Sequence, residues 1–232
     1  MFNHLIIKQL GLDIYFHKSR IPFEGDATNA EDFKAYTDKV DADAKANLQA
    51  FIDKNIKPLE EAWEKSQDND YWVKIYNERY FEFVTKLKKI LAVNYDFRIH
   101  PYTEKILTLP ELKERLKSDV DWHYADYDAY FRKVNFIFNF YENTLGTMVD
   151  QWYAVTNAEE IDDLIDRCER VLAKTGDQEY AHQVLPTQSG FFFGSTEYDD
   201  WYFSDVKDCL RQMKKFRKGL TDDMTAYVIF SW

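Results

Sequence analysis

Glycine, proline and cysteine are all scarce in this 232-residue chain, and each shortage closes off a class of protein. Seven glycines and five prolines exclude collagen-like, linker-rich and low-complexity sequence. Two cysteines cannot build a disulfide framework or an all-cysteine zinc site within one chain. No apolar run approaches the ~20 residues that a membrane-spanning helix needs. The opening residues MFNHLIIKQL lack the basic region and cleavage site of a secretory signal. The expectation is a cytoplasmic protein with no membrane partner.

Catalytic signatures are missing too. There is no GxxxxGK[ST] phosphate loop, no GxGxxG fingerprint and no G-x-S-x-G elbow. The histidines His4, His17, His100, His123 and His182 are scattered, without the H-x-x-x-H spacing of a helix-borne zinc site. Cys168 and Cys209 read as small core residues rather than a redox pair. No cofactor is implied.

What the chain does contain is acid and aromatic. Its net charge is −11, and 17% of its residues are Phe, Tyr or Trp. From Asp119 to Asp205 there are 18 acidic and 5 basic side chains, a local −13, whereas Val206–Leu220 carries +5. Such a field repels phosphates, so no direct nucleic-acid binding is expected. The basic stretch suits the last turns of a helix, where cations complement the dipole.

Hydrophobic spacing predicts a mainly α protein, a single-domain multi-helix bundle over 1–232 with residues 1–27 partly irregular. Three Thr-x-x-Glu capping boxes, at Thr28, Thr108 and Thr156, mark helix starts. The first helix carries the stripe Phe33, Tyr36, Val40, Ala44, Leu48 and Phe51, and Pro58 is expected to open a new one. Another stripe runs through Val73, Tyr76, Tyr80, Phe83, Leu87, Ile90 and Leu91. From Phe131, FRKVNFIFNFYENTL reads as a buried, aromatic-rich central helix, and the last helix is expected from Glu197 to Gly219. The tail Thr225–Phe230 has strand character and can pair with Leu12–His17, giving one small terminal β pair.

Two segments carry candidate chemistry. In the acidic-aromatic stretch from Asp119 to Asp128, Asp119, His123 and Asp126 fall near one face of a helix. Asp121 and His123, joined by Asp199 and Asp200, would make a carboxylate–histidine cluster for a divalent metal or acid–base work. The plainer reading is a helix start enriched in acids. The second segment is Gly190-Phe191-Phe192-Phe193-Gly194-Ser195-Thr196, which leads into Glu197-Tyr-Asp-Asp-Trp-Tyr202. A helix start after a Gly/Ser loop can hold an anion, but acids already occupy that turn. The expectation is a tight loop with at least two of the three phenylalanines buried against Phe136–Phe140, and Ser195 or Thr196 capping the helix.

SGFFFGSTEYDDWY, followed by a basic helix and Ser231-Trp232, resembles a segment of uncharacterised proteins encoded by bacteriophages and prophages. The resemblance covers about the last fifty residues. It implies an infected-cell cytoplasm or a virion as the setting and no particular activity. Three functions are compatible with the residues. One is a non-enzymatic module, a phage accessory factor, presenting acidic and aromatic surface to a host or viral protein. The second is an acidic mimic of nucleic acid, and the third a metal-dependent enzyme with a carboxylate-lined pocket.

Overall fold

The computed structural model describes residues 11–90, 107–118 and 127–232. Within it the chain divides into two compact units, one built from residues up to Tyr36 together with Tyr127–Trp232, the other from Thr37–Asp126.

The first unit is organised around a sheet. Strand β1 (Asp13–Ser19) alternates in burial, with Ile14 and Phe16 fully enclosed, as a half-buried strand should. It pairs antiparallel along its whole length with β4 (Thr225–Ser231), Asp13 opposite Ser231 and Ser19 opposite Thr225. Two short strands flank this pair. β2 (Ala129–Arg132) lies beside β1 and β3 (Tyr153–Thr156) beside β4, so the order is β2-β1-β4-β3 and every pairing is antiparallel. The expected small β pair is therefore the centre of a four-stranded sheet. The mainly α bundle is corrected to a helical protein with a full antiparallel sheet among the described residues.

Local chemistry explains both flanking strands. After β2, Lys133 takes a left-handed φ of 61° and donates its amide to the Leu12 carbonyl at 2.6 Å. This ends the strand and separates it from the helix that follows. Before β3, Asp150 and Gln151 both have positive φ, and Trp152 N–H donates to Val149 O at 3.1 Å. That is the primed turn whose twist suits a hairpin, here formed without glycine.

The predicted central helix is accordingly shorter. Helix α4 (Asn135–Asn139) is wholly buried and continues into a π-helical turn over Phe140–Leu145, closed by Gly146 at φ 67° donating to Tyr141 O. Helices α5 (Ala158–Leu172), α6 (Gln178–Val184) and α7 (Asp200–Lys218) complete one continuous core with the Ile14/Phe16 face of the sheet. Cys168 of α5 and Cys209 of α7 are buried free thiols within it. Burial beside Cys168 pushes the Cys209 thiol up. On the opposite face of the sheet, Phe33 stacks on Tyr153 with centroids 3.7 Å apart and meets Tyr227 edge-on.

Helix α1 (Ala30–Ser66) starts at Asn29, whose Oδ1 accepts from the Glu31 and Asp32 amides at 2.8 and 3.3 Å. Pro58 lies inside α1 rather than opening a helix, although an interior proline costs roughly 3 kcal/mol. Leu59 and Ala62, both buried directly after it, supply the compensating burial.

Helices α2 (Asp70–Ile90) and α3 (Leu109–Ser118) share the core of the second unit with Leu48, Leu59 and Ala62. Tyr76, Tyr80, Phe83 and Leu87 of α2 are buried as expected. Val73 is 40% exposed, and Val84 takes the inward position instead. Tyr80 OH donates to Leu107 O at 2.9 Å. Half of the Thr108 box forms: the Glu111 carboxylate accepts from the Thr108 amide at 2.7 Å, and the Thr108 hydroxyl donates to the same oxygen at 2.7 Å. At Thr156 the cap moves on by one residue: Asn157 Oδ1 accepts from the Glu160 amide at 3.0 Å.

Phe33 is fully buried and stacked on Tyr153, so Phe33→Ala should cost about 3–5 kcal/mol in urea unfolding. A loss under 1 kcal/mol would show that this aromatic stack does not hold α1 to the sheet.

Candidate interaction site

Between the end of α6 and the start of α7 the chain runs through residues 185–199 without regular structure. A connection this long in a compact unit is unusual and tends to carry function. Its backbone polar groups therefore need partners from elsewhere.

Three asparagines at four-residue spacing supply them. Asn135 Nδ2 donates to Ser195 O at 2.8 Å and Phe193 O at 3.4 Å, while its Oδ1 accepts from the Gln188 amide at 3.3 Å. Asn139 Nδ2 reaches Gln188 Oε1 at 3.0 Å and Thr187 O at 3.4 Å. Asn143 Nδ2 donates to the same Gln188 oxygen at 3.0 Å. Asn135 and Asn139 are buried, so their bonds spare polar groups that would be expensive to leave unpaired, whereas Asn143 makes its bond at the exposed surface.

Held this way, the loop sorts its three phenylalanines. Phe193 is buried, its ring 4.8 Å from Phe138 and 5.7 Å from Trp232. Gly190 makes room for it, because a Cβ there would fall 2.7 Å from the Phe193 ring. Gly194 supplies a φ of 97° hard against Lys133. Phe191 and Phe192 instead face outward, 78% and 38% exposed, with rings 4.0 Å apart. The expectation of two buried phenylalanines is thus corrected to one. Phe191 and Phe192 occupy the two central positions of a turn closed by the Phe193 amide donating to Gly190 O at 3.2 Å, so both rings are carried at its tip. The Leu12 amide, donating to Phe192 O at 3.3 Å, fixes the turn against the end of β1.

Phe192 has a φ of 67°, a left-handed conformation that costs a bulky L-residue about 1–2 kcal/mol. An exposed aromatic held under strain gains the fold little, and strain of this kind collects at functional segments.

The helix start also differs from expectation. Asp199, not Ser195 or Thr196, caps α7, its Oδ1 accepting from the Tyr202 amide at 3.0 Å. Ser195 Oγ accepts locally from the Glu197 amide at 3.1 Å, and Thr196 O accepts from Thr187 Oγ1 at 3.1 Å. In the first turn of α7, Trp201 is 78% exposed. Tyr198 turns inward, its hydroxyl accepting from the Thr187 amide at 3.1 Å and lying 3.1 Å from His182 Nδ1.

Asp121 and His123, with Asp119 and Asp126, lie outside the described residues, so of the expected metal cluster only Asp199 and Asp200 are placed. Among the described residues no three His, Cys, Asp or Glu side chains converge as a metal site. No helix among them is long and apolar enough to cross a membrane. Comparison with protein-family models, curated proteins and solved structures finds no match.

Sequence reasoning passed over Asn135, Asn139, Asn143 and Gln188. The available signal was the four-residue spacing of polar residues inside an otherwise aromatic run.

Asn135→Ala should cost about 1–3 kcal/mol, because it strips partners from Ser195 O and the Gln188 amide. Phe192→Gly should leave stability nearly unchanged. Relief of about 1–2 kcal/mol of strain is set against the ~0.4–1 kcal/mol that a more flexible unfolded chain gains and the lost burial of a ring that is 38% exposed. Chemical denaturation of both variants checks the contrast.

Acidity gives a further expectation. Burial, reinforced by Asp208 and Asp199, holds the Asp205 carboxyl above its ordinary value of 3.8. Because folding raises this pKa, the group favours the native state below 3.8 and loses that contribution as pH rises through the folded value. Asp205→Asn should therefore raise Tm at pH 7, with the gain shrinking towards zero as the pH falls to 3.8. A gain that is constant with pH would exclude a charge origin.

Proposed function

We propose that this chain is a non-enzymatic protein-binding module, a phage accessory factor, and that it docks through the Phe191–Trp201 segment. The carrying observation is the outward display of Phe191 and Phe192 from a loop whose backbone is tied to buried asparagines. Aromatic side chains presented in a fixed geometry lose little entropy on association and dominate interface energetics. Trp201, exposed ten residues on, extends the same chemistry. The phage setting rests on the resemblance of SGFFFGSTEYDDWY.

Charge pairing favours this reading over nucleic-acid mimicry. A mimic needs a row of unpaired carboxylates, yet of the six acids on α5 four are in ion pairs, Asp166 with Arg170 among them. Asp162 pairs with Arg217 at 3.0 Å, Asp163 with Arg167 at 3.1 Å and Glu169 with Lys214 at 2.5 Å.

Affinity capture from a bacterial host lysate tests the proposal with three baits: the parent chain, a Phe191→Ser/Phe192→Gly variant, and Tyr71→Ser as an exposed control in the second unit. The expected result is a protein retained by the parent and the control and lost from the loop variant, with all three baits melting alike. Equal capture by the loop variant would overturn the docking site.

A further inference from the structure

Resting on that reading, we propose that the partner is a protein whose apolar cleft is rimmed by lysine or arginine. The argument is charge complementarity at the docking segment. Between Thr175 and Val206 the chain carries Asp177, Glu179, Glu197, Asp199, Asp200 and Asp205 and not one Lys or Arg. Glu197, Asp199 and Asp200 are exposed and stand between the displayed Phe191/Phe192 pair and Trp201.

Of the six cations that follow on α7, Lys214 and Arg217 are engaged by Glu169 and Asp162 of α5 and Arg211 by Asp208 of its own helix, while Lys207, Lys215 and Lys218 lie about two turns or more beyond Asp200. Lys133 packs its stem against Gly194 at the base of the loop, and Arg167, which donates to Val184 O where the loop begins, has its charge paired with Asp163. Repulsion is felt inside the segment as well, since Asp208 and Asp199 both act on Asp205 in the direction of holding its proton.

Trp201 adds specificity to the sign. It is 78% exposed, directly follows Asp200, and has Asp205 four residues on along the same helix face. An indole face with carboxylates beside it suits an ammonium or guanidinium group, which gains from the ring and the charges together. An acidic partner, or an anionic lipid surface, would meet like charge around each aromatic.

The test uses the full chain and defined probes, with NMR signals of Phe191, Phe192 and the Trp201 indole as the readout. The probes are an amphipathic Leu/Lys peptide, its Leu/Glu counterpart, an oligolysine without leucine, and phosphatidylcholine vesicles. The Leu/Lys peptide should shift these signals, and a rise from low to high salt should weaken binding about tenfold or more. Glu197→Lys/Asp200→Asn should weaken it comparably, with the thermal melt showing that the variant is folded. If the Leu/Glu peptide shifts the same signals as strongly, the cationic assignment falls while protein docking through the aromatics stands. Equal shifts with oligolysine would remove the apolar cleft from the proposal, and binding to the vesicles would replace a protein partner by lipid. No response to the Leu/Lys peptide also overturns the assignment, leaving the capture experiment to judge the docking reading independently.

Discussion

The antiparallel pairing of β1 with β4 is the constraint on which the first unit depends. Seven residues near one end of the sequence lie in register with seven near the other, from Asp13–Ser231 to Ser19–Thr225. One face of this pair gives Ile14, Phe16, Val228 and Phe230 to the core that α4–α7 cover. The other gives Tyr227, which meets Phe33 and Tyr36 of α1. A slip of one residue would exchange the two faces throughout. The edge strands add to the register but do not set it: within the sheet β2 pairs with β1 alone and β3 with β4 alone, each over four residue pairs.

The candidate site is coupled to that pairing through backbone rather than side chains. Leu12, immediately before β1, donates to Phe192 O, and Lys133, immediately after β2, donates to Leu12 O. The displayed loop thus takes its position from the end of the sheet on one side and from Asn135 and Asn139 on the other. Stability and display pull in different directions at Phe192, where a left-handed backbone holds a ring that the core does not use. Such a position is easier to understand as selected for contact than for folding.

Much of this was legible from periodicity and caps. Long amphipathic helices declare themselves because burial repeats every three or four residues, and from Tyr76 to Leu87 the stripe of α2 is buried as spaced, with Val73 misplaced. The β1–β4 pair was readable because both segments are rich in Ile, Tyr, Phe and Val. Strands β2 and β3 were not readable. Four residues hold too few alternations to register, and the turns that bound them use Lys133, Asp150 and Gln151 in conformations that sequence assigns to glycine or asparagine. The loop misled for a related reason. Three successive phenylalanines suggest burial by composition, but the turn from Gly190 to Phe193 and the Leu12 hydrogen bond decide which one turns inward. Neither is visible until the ends of the chain have met.

The position of β4 so late in the sequence also orders events on the ribosome. A nascent chain exposes β1 long before its central partner has been translated. Until then the apolar faces of α4, α5 and α7 have only half of their sheet to close upon. The second unit draws its core from residues 48–112 and meets no such delay. Synthesis therefore passes through an interval in which one set of helices can already settle while the other waits, its hydrophobic surface open to chaperones, for a strand still inside the exit tunnel.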